Sequence, residues 1–137
     1  MANIIPDAFK LELLSGTHNF ASGGNVFKIA LYVTTLGPPY TTSSTVYSTD
    51  NEVSSSGTGY TTGGNALDGQ GVSVPGSNTA TVDFDNEVFS SVTLTSLGAA
   101  IYNSTNGSKL CLVIDFGGDK VATSGDFTIQ FPADAAT

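Results

Sequence analysis

The chain has 137 residues, a length suited to one domain, and sets twelve acidic residues against four lysines (Lys10, Lys28, Lys109, Lys120) with no arginine, for a net charge of −8. That balance opposes nucleic-acid binding, which needs cations against phosphate, and excludes a bidentate Arg clamp. One Cys and one His exclude an intramolecular disulfide and a structural zinc set, while a hydrophobic fraction of 39% is enough for a core and argues against disorder.

Residues 1–24 read as an N-terminal arm or short helix, and residues 25–137 as one β domain. Pro6 to Phe20 is the helix candidate. Pro6 suits the first helical position, Phe9, Leu13 and Leu14 fall near one face, and Gly16 stands where a C-terminal cap is expected. A strand is the rival, because Phe9, Leu11 and Leu13 alternate with Lys10 and Glu12. The helix is preferred because Pro6 to Leu14 is rich in Ala, Leu, Lys and Glu after the opening Pro6-Asp7.

From Asn25 the pattern is β. Val26 to Val33 places Phe27, Ile29 and Leu31 on one face and Lys28, Ala30 and Tyr32 on the other, and Gly37-Pro38-Pro39 ends it. Thr41 to Gly71, rich in Ser, Thr and Gly, reads as short strands or turns anchored by Val46, Tyr47, Val53, Tyr60, Ala66 and Leu67. Disorder is the alternative for Ser54 to Gly57. Thr79 to Phe84 alternates, and Val88 to Leu94 continues the series with a Ser pair that marks a bulge. Ala99 to Asn103 leads to Asn106-Gly107, a two-residue hairpin signal. Lys109 to Phe116 is apolar on both faces and reads as a central strand ended by Gly117-Gly118. Phe127 to Phe131 is the last strand. This spacing predicts a mainly β fold, an antiparallel β-sandwich or jelly-roll-like barrel with one short N-terminal helix or arm.

Little in the sequence points to chemistry. His18 lacks a nucleophile motif around it and reads as a hydrogen-bonded loop histidine at a helix end. Asp83, Asp85 and Glu87 alternate, which on a strand would give one carboxylate face able to bind Ca²⁺; a solvated strand edge or turn is the simpler reading. Asp115, Asp119 and Asp126 lie among Gly117, Gly118 and Gly125. They suit turns better than glycoside hydrolysis, for which the chain also lacks Trp platforms. The sequons at Asn103 and Asn106 read as hairpin residues, and Cys111 as a small core hydrophobe. No cofactor motif is present. The start MANIIPDAFK has neither a basic n-region nor a long apolar h-region, and no apolar run approaches the ~20 residues of a membrane span. Use without secretion and away from membranes is therefore expected.

Several strings resemble, in order and spacing, a family of small virion structural proteins of tailed bacteriophages. They are Phe9-Lys10 with Glu12-Leu13-Leu14-Ser15-Gly16-Thr17-His18-Asn19-Phe20, then Phe27 to Tyr32, Asn51-Glu52-Val53, and Gly57-Thr58-Gly59-Tyr60 with Gly63-Gly64. Ile101-Tyr102-Asn103-Ser104 and Asp115-Phe116-Gly117-Gly118-Asp119 complete the set. The likeness spans nearly the whole chain, although Ser54-Ser55-Ser56 lengthens the linker before the Gly-Thr-Gly-Tyr string. It implies a non-enzymatic capsid cement or decoration protein, made in the host cytoplasm, placed on the capsid exterior and bridging major capsid proteins. It supplies no catalytic residues. A homotrimer is expected, with no nucleic-acid or membrane partner. The residues proposed for contact are Phe9, Leu13 and Phe20 in the N-terminal segment and Pro38, Pro39 and Tyr40, a rigid loop with an exposed aromatic. The alternative is a tail, neck or fibre-associated adhesion module binding host-surface glycan, motivated by the Ser/Thr/Gly richness and the acidic triplet.

Overall fold

A computed structural model describes residues 2–33 and 39–132. The fold is mainly β. One helix, α1 (Asp7–Leu14), precedes six strands: β1 (Phe27–Tyr32), β2 (Asn65–Ala66), β3 (Gly71–Gly76), β4 (Thr79–Asp83), β5 (Glu87–Asn103) and β6 (Lys109–Ile129). All described pairing between the strands is antiparallel. It builds a four-stranded sheet in the order β2-β1-β5-β6 and a separate two-stranded sheet of β3 and β4. The mainly β class and the short N-terminal helix stand. The described pairing closes no barrel. No described helix is long and apolar enough to cross a membrane.

Helix α1 is shorter than the Pro6 to Phe20 segment. Pro6 precedes it, and Gly16, at φ 74°, follows its end. The Gly16 N–H donates to the Leu13 carbonyl and the Thr17 N–H to the Glu12 carbonyl, the paired closure that a left-handed glycine permits. None of its residues is buried, and Leu14 is 89% exposed. Of the expected apolar face only Phe9 packs, half-buried, on the core, while Leu13 and Leu14 stay exposed. Phe20 and Phe84 already occupy the sheet surface beside it, stacked on or edge-on to Phe27.

Strand β1 has the expected alternation, but both faces are buried. Phe27, Ile29 and Leu31 join one core cluster, while Ala30 and Tyr32 join another across the sheet. The eight phenylalanines all belong to or pack on the first cluster, and four of the five tyrosines belong to or pack on the second. Gly64, at φ 69°, crosses β1 so closely that a Cβ would overlap the Ile29 carbonyl oxygen. Residues 41–71 follow the expected turns, with Val53, Tyr60 and Leu67 buried, although the expected anchors Val46 and Ala66 are exposed. Ser54 to Gly57 leads into a turn in which the Thr58 hydroxyl donates to the Ser54 carbonyl.

The second half departs most from expectation. Val88–Leu94 and Ala99–Asn103 are parts of one strand, β5, with the expected irregularity at Ser91, φ 55°. Lys109–Phe116 and Phe127–Phe131 likewise merge, up to Ile129, into β6. Gly117 and Gly118 do not end the strand. They lie in an insertion between Asp115, paired with Gly98, and Lys120, paired with Ser96, and glycine supplies the φ values of 74° and 150° there. Strand β6 is an outer strand and β5 the central one. Residues 110–113 are apolar because both faces are covered: Cys111 and Leu112 belong to or pack on the first cluster and Leu110 and Val113 belong to the second, while Ile4 and Val46 pair with the outer edge at Val113 and Lys109. The hairpin turn is five residues, 104–108, with Gly107 and Ser108 left-handed, rather than a two-residue Asn-Gly turn. Strand β3 has no counterpart in the sequence reading, because Gly71, Pro75 and Gly76 mask its short Val-Ser-Val alternation.

Candidate functional site

The densest polar constellation joins the end of α1 to the β5–β6 turn. His18 follows the Gly16 closure and its side chain is wholly buried, enclosed by the rings of Phe9, Phe20 and Phe27. Its Nε2 lies 2.7 Å from Glu12 Oε2, and its Nδ1 lies 3.0 Å from Asn103 Nδ2. The orientation of Asn103 follows from its other bonds. Its Oδ1 accepts from the Thr105 and Asn106 N–H groups, and its Nδ2 also donates to Asn25 Oδ1 at 3.0 Å. The amide nitrogen therefore faces His18 Nδ1, which must accept, so Nε2–H is the proton donated to Glu12. Lys109 Nζ reaches the other Glu12 oxygen at 3.1 Å. Asn106 Nδ2 donates to the Thr17 carbonyl. The arrangement ties helix, loop and hairpin together through residues up to 97 positions apart.

Cys111 Sγ lies 3.8 Å from His18 Nδ1, so a Cys–His–Glu series exists that no sequence motif announces. Its chemistry is that of a core thiol. Burial, and then the Glu12 carboxylate, push the Cys111 thiol up to about 12, the reverse of what a nucleophile needs. His18 Nδ1 is already bonded to Asn103. The groove of about 300 Å³ above the thiol is lined by Ile5, Phe9, Leu13, Phe20, Phe84 and other apolar residues, with no side-chain donor for an oxyanion.

A second cluster gathers all five tyrosines near Glu52. Glu52 accepts from the Tyr47 hydroxyl at 2.5 Å, the Tyr60 hydroxyl at 2.6 Å and the Gly63 N–H at 2.7 Å. Tyr60 in turn accepts from the Leu31 N–H at 3.0 Å. Tyr32 and Tyr40 share a 2.6 Å hydroxyl contact over the Ser48 carbonyl, Tyr102 donates to the Gly63 carbonyl, and Tyr47 stacks on Tyr102. Burial raises every one of these phenols above its ordinary value, and the Glu52 charge adds to the effect; Tyr102 is pushed up to about 12.

The sequence candidates divide clearly. Phe9, Leu13 and Phe20 come together along the 300 Å³ groove, but Phe20 is buried against Phe27 and only Leu13 of the three is well exposed. Pro38 lies outside the described residues. Pro39 is exposed, whereas Tyr40 is buried edge-on against Tyr32 and is not the exposed aromatic expected. Asp83, Asp85 and Glu87 do not share a strand face, because Asp85 lies between the strands and β4 and β5 belong to different sheets. Asp83 accepts from the Phe84 N–H, Asp85 stands against Gly69, and Glu87 accepts from Asn65. Among the described residues no three acidic, His or Cys side chains are placed to hold one metal ion. Asp115 accepts from the Gly117 N–H in the β6 insertion and Asp126 from the Ser91 N–H at the β5 irregularity, so the two serve separate irregularities of the β5–β6 ladder. Asn103 is buried and Asn106 bonds to Thr17, which makes both poor sequon sites. His18 and Cys111 fit the expectation of a bonded loop histidine and a core thiol. Sequence reasoning missed Glu12, Glu52, Asn25 and Asn103 as network members, and only the fold brings their partners near. No family model, curated protein or solved structure matches the chain.

Proposed function

We propose that the protein is a non-enzymatic structural protein of a tailed-phage virion, a cement or decoration protein that binds the outside of the shell and bridges major capsid proteins. The sandwich or jelly-roll description of its fold belongs to the same reading. One observation carries it beyond the sequence resemblance. Leu11 and Leu14, three residues apart on α1, are 68% and 89% exposed on a helix that the Glu12–His18–Asn103 network holds to the β domain. An apolar pair on a fixed helix is suited to burial by a partner at little ordering cost. The high-pKa thiol under an apolar groove, and carboxylates bonded to backbone N–H groups of the β5–β6 ladder, support the non-enzymatic part.

The test is addition of purified protein to shells lacking it. Leu11→Ser with Leu14→Ser is expected to fold with unchanged stability and to lose shell binding by at least ~10-fold, as loss of about 1.4 kcal/mol or more of docking energy would give. Binding equal to the parent's refutes the proposed contact. Hundreds of copies per purified virion support a shell position, while a handful would assign the protein to the tail or neck.

A further inference from the structure

The chain has nine asparagines, and Asn106 alone among them is followed by glycine. It lies in the 104–108 turn between β5 and β6. Gly107 is exposed at φ 65°, and a Cβ built on it would meet nothing within 4 Å, so nothing crowds its backbone nitrogen. Among the described residues the Gly107 N–H has no acceptor, whereas the Thr105 and Asn106 N–H groups are held by Asn103 Oδ1. The Asn106 side chain is engaged through Nδ2, which donates to the Thr17 carbonyl and, at 3.4 Å, to Asn25 Oδ1.

We infer that Asn106 is a self-modifying site that deamidates with water as its co-reactant. The Gly107 nitrogen attacks the Asn106 side-chain carbonyl carbon, an approach that glycine permits because it lacks a Cβ. The N–Cγ bond forms and the Cγ–Nδ2 bond breaks. Nδ2 leaves as ammonia, taking up the proton of the Gly107 N–H, and a cyclic imide remains. Water opens the imide at either carbonyl and leaves aspartate or isoaspartate at position 106; no electrons are exchanged. The reaction proceeds when the bond from Nδ2 to Thr17 opens. Its product cannot restore that bond, because an ionised carboxylate is acceptor-only and here faces two acceptors, the Thr17 carbonyl and Asn25 Oδ1. Rotation of the Asn25 amide gives no relief, since Asn25 Oδ1 already accepts from the Asn19 N–H and from Asn103 Nδ2. Deamidation therefore unties the loop after α1 from the β5–β6 turn. The loss reaches the network that holds α1, because His18, next to Thr17, bonds both Glu12 and Asn103. This chemistry is independent of shell binding.

The test is incubation of the purified parent in mildly alkaline buffer at physiological temperature, followed by intact mass and peptide mapping. Asn106 is expected to convert at least ~10-fold faster than any other asparagine, giving both aspartate and isoaspartate. Gly107→Ala should slow conversion at least ~10-fold by placing a Cβ beside the attacking nitrogen. Because alanine is strained at a φ of 65°, Asn106→Gln serves as a second variant, whose longer side chain disfavours ring closure and should leave position 106 an amide. Asn106→Asp, which carries the product charge without ageing, should lower Tm by at least ~3 °C and speed amide exchange across residues 17–25, as should the aged parent. An Asn106 that stays intact while the free peptide of residues 103–109 converts, or another asparagine that converts first, overturns the inference. So does a converted protein that keeps the parent's Tm and amide exchange.

Discussion

Asn103→Ala is the most informative perturbation of the network that holds α1. Asn103 is fully buried and makes four bonds: Nδ2 to His18 Nδ1 and to Asn25 Oδ1, and Oδ1 from the Thr105 and Asn106 N–H groups. Alanine removes them all. The buried His18 Nδ1 is left with only the weak Cys111 thiol at 3.8 Å, a loss of ~1–3 kcal/mol. The two turn N–H groups and Asn25 are partly solvated and together add roughly 1–2 kcal/mol. The sum is about 2–5 kcal/mol, a large share of the ~5–15 kcal/mol of a typical domain. An unfolding entropy of ~2.1 cal/mol/K per residue gives ~0.29 kcal/mol/K over 137 residues, so Tm should fall by ~7–17 °C. Because the chain has no Trp, circular dichroism in urea is the assay. The midpoint should fall with the m-value unchanged. In a His18→Leu background there is no ring nitrogen to orphan, and the effect of Asn103→Ala should shrink by ~1–2 kcal/mol. A loss under ~1 kcal/mol, or strict additivity of the two changes, would refute the assigned network.

Two further outcomes follow from the buried acids. The phenols of Tyr32, Tyr40, Tyr47, Tyr60 and Tyr102 are all raised above the ordinary 10.0, so above that pH the unfolded chain ionises first and binds fewer protons than the folded one. Stability should be insensitive to these groups below pH 10.0 and fall as pH rises past it, Tyr102's share flattening beyond about 12. Alkaline titration followed by phenolate absorbance should show the tyrosines ionising together with unfolding; five independent, ordinary titrations would contradict the cluster. The Cys111 thiol, pushed up to about 12, should react with iodoacetamide near neutral pH at least ~100-fold more slowly in the folded chain than in urea. A folded-state rate matching a free thiol would restore the nucleophile reading.

Much of the strand content was legible locally. The β1 alternation, the Gly16 cap and the turn at Asn106-Gly107 are short-range signals, and the structure contains each, although the turn is longer than the dipeptide suggests. The merging of four expected strands into β5 and β6 was not legible. Gly117-Gly118 and Ser90-Ser91 read locally as breaks or bulges, and whether a chain resumes its ladder after one depends on the partner strand opposite. The same holds for Lys109 to Val113. A strand apolar on both faces reads as central, but here the two core clusters bury both faces of an outer strand, whose edge Ile4 and Val46 pair at Val113 and Lys109.

The sequence by itself determined the β class, the acidic arginine-free surface and the absence of any nucleophile or cofactor motif, because these depend on composition and on spacings of a few residues. Tertiary structure alone decided which side chains meet. Glu12, His18, Asn103 and Cys111 become neighbours, five tyrosines surround Glu52, Tyr40 turns inward and the Asp83–Glu87 triplet is divided between two sheets. The physical reason is range. Alternation sets which face a residue takes within its own strand, while hydrogen-bond partners many residues away are chosen by strand order and register.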